Sequence, residues 1–121
     1  MKMYHQDYLI KQIRDMVKFI AKVLLKKEKP EYILSIDEEH AKYDLLHKRL
    51  LSMIGEGNIN EAEDLLFEKL DYSNPRYIEL ALDFYSRLND LDDSFLAENN
   101  FSREEIEEGL KEIAKELGIF I

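Results

Sequence analysis

A chain of 121 residues with no cysteine, four glycines, two prolines and a net charge of −9 excludes disulfides, thiolate metal sites and a thiol nucleophile. No apolar run approaches the roughly 18 residues of a membrane span, and no signal-peptide layout opens the chain. The length fits one domain, residues 1–121, and the wealth of Leu, Glu, Lys and Ile predicts an all-α protein in a cytoplasmic setting.

The charge is unevenly placed. Residues 1–30 carry eight basic and three acidic side chains, whereas residues 31–121 carry nine basic and twenty-three acidic ones. This divides the chain into a basic amphipathic helix, 1–29, and an acidic helical body, 36–121. An acidic body repels phosphate, so nucleic acid is not an expected partner.

The first helix is expected from about Tyr4 to Lys27. Leu9, Ile13, Met16, Val17, Ile20 and Leu24 recur at helical pitch, widened by Ile10 and Val23. Lys11, Arg14, Lys18, Lys22 and Lys26 line the opposite face. Three surfaces could receive the stripe: the chain's own acidic body, the same helix of a second subunit, or an anionic membrane. Repulsion of the body disfavours the membrane surface. The six stripe residues are the expected interaction surface, and a homodimer follows from the stripe's width and the apolar terminus Ile119-Phe120-Ile121.

Pro30 to Ile36 reads as an extended linker. Ser35 and Glu38 then form a capping box that opens helix two, which runs to Met53 or Ile54 with Tyr43, Leu46, Leu50 and Met53 on its apolar face. Asp37, His40, Asp44 and His47 fall at i, i+3, i+7 and i+10 on the same helix. They are the one constellation with ligand chemistry, so His40, Asp44 and His47 are the candidate metal residues. Because the stripe lies beside the apolar face and stays on a single helix, a solvated flank is the competing reading. No cofactor follows from the rest of the chain.

Residues 44–70 read as an antiparallel helical hairpin around which the chain is organised. Gly55 or Gly57 ends the first arm, Asn60 with Glu63 caps the second, and Ala62, Leu65, Leu66 and Leu70 resume the stripe. Ser73 or Asn74 with Pro75 opens the next helix, whose core face is Tyr77, Ile78, Ala81, Phe84, Tyr85 and Leu88. Asp92 or Asp93 caps a short turn carrying Phe95 and Leu96; the spacing lacks the glycine of a calcium loop. Ser102 with Glu105 opens the last helix, built on Ile106, Leu110, Ile113, Ala114 and Leu117 and stopped by Gly118. The sum is a bundle of five or six helices.

Two resemblances arise from these residues. Gly57 through Leu66 is similar to the turn and second-helix start of a tetratricopeptide unit, although no 34-residue repeat follows. Gln6-Asp7-Tyr8, Asn60-Glu-Ala-Glu63, Leu88 to Asp93 and Glu98 to Glu105 resemble a family of small bacterial proteins catalogued only as a domain of unknown function. That resemblance implies a compact helical fold and a bacterial cytoplasmic setting, and it carries no activity. The function expected is a non-catalytic protein–protein interaction or adaptor module presenting a helical groove. The alternative is a metal-binding protein or metal-dependent enzyme using His40, Asp44 and His47.

Overall fold

The computed structural model describes residues 2–25, 41–69 and 71–119. They form α1 (Lys2–Ile20), continued by one π-helical turn (Ala21–Leu25), then α2 (Ala41–Gly55), α3 (Ile59–Glu68), α4 (Pro75–Asn89), α5 (Asp93–Glu98) and α6 (Arg103–Glu116). Six α-helices and no strand occur among the described residues, so the fold is an all-α bundle. No described helix is long and apolar enough to cross a membrane. The expected linker, the Ser35 cap with Glu38, and the pair Phe120 and Ile121 lie outside the described residues.

The hub is α4, not the hairpin. Helix α1 lies on α4 and α6, α6 lies on α4, and α2 lies on both α3 and α4. The sequence reading named one apolar face on α4 and passed over Leu80 and Leu82, which are both fully buried. With them the helix is apolar on nearly every side, which is the pattern of a helix at the centre of a fold. Its aromatic hydroxyls reach outward to α3. Tyr77 donates to the Leu66 carbonyl at 2.8 Å, and Tyr85 donates to Glu63 Oε2 at 2.7 Å.

Local signals set most helix ends. Asn74 Oδ1 accepts from the Arg76 N–H at 2.9 Å with Pro75 at the first helical position. The Ser102–Glu105 capping box is present in both directions. Helices α2, α5 and α6 share one closure, in which a residue of positive φ (Gly57, Asn100, Gly118) follows the last turn. The next N–H then bonds five residues back: Asn58 to Met53, Phe101 to Leu96, and Ile119 to Ala114. At Gly57, φ is +85° and an added Cβ would lie 2.4 Å from Asn99 Oδ1, so the turn requires glycine twice over.

One expected cap fails. Helix α3 begins two residues earlier than a cap at Asn60 would allow, with Asn58 at the cap position and no side-chain capping bond. The Asn60 amide instead donates to the Asn99 and Asn100 carbonyls, at 3.4 and 3.1 Å, and ties the hairpin to the α5–α6 turn. Glu63, the other half of the expected box, is taken by Tyr85. Tertiary partners have displaced the local bond.

Candidate functional site

The apolar stripe of α1 is interior. Leu9, Ile13, Met16, Val17 and Ile20 are buried against the chain's own core, and Leu24 packs partly on it. These six were expected to form an interaction surface; the matching apolar faces of α4 and α6 occupy them instead. Beside that stripe α1 has a second, outer flank, where Tyr8 is 67%, Phe19 47% and Val23 49% exposed. Tyr8, Lys11, Gln12, Asp15, Met16 and Phe19 line a shallow cup of about 430 Å³ there.

Of the helix-two stripe, Asp44 and His47 engage separate partners on α4. His40 lies outside the described residues. Asp44 Oδ1 accepts from Arg76 Nη2 at 2.9 Å, and Arg76 also reaches Glu79 Oε2 at 3.3 Å. His47 is buried, with Nε2 2.7 Å from Asp83 Oδ2, the same oxygen that accepts from Arg87 Nε at 2.7 Å. A solvated flank is therefore not what α2 presents at Asp44 and His47. Its polar edge faces α4, which meets each group with a partner of opposite or complementary charge. Among the described residues no three His, Cys, Asp or Glu side chains converge as a metal ion requires. What the cluster does is pin α2 to α4 through polar contacts that only one register satisfies.

Two inward-facing carboxyls are shifted in opposite directions. Burial alone would raise Asp83, but its bonds to His47 and Arg87 outweigh it and hold the carboxyl below the usual range. Burial raises Glu63, and the Tyr85 hydroxyl only partly offsets it while Glu105, Asp64 and Glu108 add repulsion. A raised acid contributes stability that is full below its unfolded value, about 4.3, and is lost as pH rises through the folded value. Glu63→Gln keeps an acceptor for Tyr85 and removes the charge. Its melting temperature is expected to exceed that of the parent at pH 7, with the advantage shrinking towards about pH 4. A parent that melts higher than Glu63→Gln at pH 7 would contradict this.

The feature that the sequence reading missed is a groove between α2 and the end of α3. Its volume is about 760 Å³, and Lys42, Tyr43, Leu45, Leu46, Arg49, Leu65, Glu68, Lys69 and Asp71 line it. On α2 the lining residues Lys42, Leu45, Leu46 and Arg49 stand at i, i+3, i+4 and i+7, which is one continuous face of about two turns. Leu46 and Leu65 pack partly on the core and make the floor. Leu45 stands on the wall, 69% exposed. Tyr43 is fixed at the edge by donating to Asp71 Oδ2 at 3.0 Å, with Lys42 Nζ 5.0 Å from its ring centre. A signal was present in the sequence: Leu45 is out of phase with the core face and sits between two cations.

Cations outnumber carboxylates in the lining of this groove, the reverse of the chain as a whole. Arg76, Arg87, Arg103 and Lys111 each hold a carboxylate. Lys42, Arg49 and Lys69 enter no ion pair among the described residues, although carboxylates outnumber cations in the chain as a whole. The groove is thus an apolar floor with Lys42 and Arg49 on one rim and Lys69 on the other, their charge partly offset by Glu68 and Asp71. No curated protein and no solved structure matches the chain. A family model matches residues 3–118, all but the ends of the polypeptide. The chain therefore belongs to that family, which is described as a family of unknown function (DUF6483).

Proposed function

We propose that the chain is a non-catalytic, cytoplasmic protein–protein interaction module that receives a segment of its partner in the α2–α3 groove. The observation that carries this reading is the exposed Leu45 above the floor of Leu46 and Leu65. Small-molecule sites enclose most of their ligand; a leucine wall this open suits a macromolecular surface, where a few apolar anchors supply most of the affinity.

A photo-crosslinking side chain at Leu45, introduced in the native cell, is expected to capture a defined partner. Leu45→Glu should weaken that partner's binding by at least about tenfold while changing fold stability by less than about 0.5 kcal/mol, as an exposed substitution does. Crosslinking from Leu45 no greater than from the exposed Glu61 would defeat the proposal.

The outer flank of α1 supports a homodimer through a different surface. Two copies laid antiparallel about a point between Gln12 and Asp15 bring Tyr8 of each against Phe19 of the other. The aromatic–polar–polar–aromatic order of Tyr8, Gln12, Asp15 and Phe19 is preserved by that reversal. Sedimentation at micromolar concentration should show a dimer, and Phe19→Glu a monomer that melts like the parent. A monomeric parent protein would remove this reading and leave the groove unaffected.

A further inference from the structure

We infer that the segment received by the α2–α3 groove is an acidic amphipathic helix. This rests on the interaction reading above and adds the chemistry of the partner. The groove is bounded by two helices, and a third laid alongside them completes a small bundle in which its apolar ridge fills the space over Leu46 and Leu65. The helix's carboxylates then meet Lys42 and Arg49 on one rim and Lys69 on the other, cations that enter no ion pair among the described residues. Rim charges of this kind choose the partner and speed its arrival, while the apolar ridge holds it. Glu68 and Asp71 also border the groove, at its α3 end. They break the positive field there, which tells against a polyphosphate backbone or a continuous anionic surface and suits a helix whose charges are discrete.

The test uses the full chain, labelled with ¹⁵N, and three synthetic helical peptides of equal length. One carries leucines at i, i+3, i+4 and i+7 with glutamates elsewhere. The second replaces every glutamate by lysine, and the third scatters the leucines of the first. The acidic amphipathic peptide is expected to shift the amide signals of Leu45, Leu46 and Leu65. The lysine peptide should bind at least tenfold more weakly, and the scattered one should leave these signals in place. In the triple variant Lys42→Glu, Arg49→Glu, Lys69→Glu the order of the first two peptides should reverse.

A lysine peptide that binds the parent groove as tightly as the acidic one overturns the assignment of partner chemistry, yet leaves the Leu45 crosslinking result standing. Absence of shifts in the groove with any peptide overturns it as well. So does a stronger shift of the same signals by vesicles of anionic lipid, which would make this face a membrane contact.

Discussion

Replacing Arg103 by methionine is expected to lower stability by about 3–4 kcal/mol and the melting temperature by about 10–15 °C. Arg103 is a buried cation at the first position of α6, and it closes the far end of α4. Its Nη1 donates to the Asn89 carbonyl at 2.6 Å and to Asn89 Oδ1 at 3.2 Å. Its Nη2 donates to the Leu91 carbonyl, and its Nε to Asp93 Oδ1 at 2.9 Å. Asp93 is largely exposed, so that ion pair contributes at most about 1 kcal/mol. The larger loss comes from carbonyls at the C-terminus of α4, which lose their donor inside the protein.

The damage should reach α1 as well. Asn89, oriented by Arg103, donates its amide to the Ile10 carbonyl at 3.0 Å and so fixes α1 at mid-length. Hydrogen exchange in α1 should therefore accelerate in Arg103→Met by more than the overall loss of stability explains. Arg103→Lys, which can reach only part of the acceptor set, should fall between the two proteins. Stability of Arg103→Met within about 1 kcal/mol of the parent would mean that water replaces the guanidinium without loss.

Gly109→Ala is expected to destabilise by about 2 kcal/mol or more, against the usual gain of up to about 1 kcal/mol when alanine replaces glycine inside a helix. The reason is the close approach of α4 and α6. An added Cβ would stand 2.3 Å from Tyr85 Oη and 2.5 Å from Cζ. Tyr85 cannot yield cheaply: it is fully buried, it packs edge-on to Phe84 at 5.2 Å, and its hydroxyl is held by Glu63. Helix α6 must move away from α4 instead, and α1 rests on both.

The sign is the informative part, because propensity and packing disagree at this position and packing should win. Adding Tyr85→Leu to Gly109→Ala frees the space, so the double variant should be more stable than the sum of the two losses by about 1 kcal/mol or more. Thermal melts of the four proteins measure this coupling. A Gly109→Ala protein that melts at or above the parent would show that the ring has room to turn.

The sequence was readable wherever the interacting groups lie within a turn of each other. Asn74 with Pro75, Ser102 with Glu105, and the left-handed Gly57 each depend on contacts no more than a few residues away. The same holds for the stripe of α1, since helical pitch alone places Leu9, Ile13, Met16, Val17 and Ile20 on one face. Pitch cannot say what covers that face. The chain's own body, a second subunit or a membrane could each receive it, and α4 and α6 of the same chain cover it.

What the polypeptide determined unaided is thus the list of helices, most of their ends, and the apolar side of each. The tertiary structure alone decided where the polar residues that bond from one helix to another went. Asn60 left its cap for a carbonyl 39 residues away, His47 met Asp83 across 36, and Asn89 reached Ile10 across 79. Spacing along a chain orders only neighbours on one element, whereas a buried polar group takes whichever partner the packed helices bring within hydrogen-bonding distance. Leu45 follows the same logic in reverse: its helix offered it no core to enter, and the neighbouring α3 made it the wall of a groove.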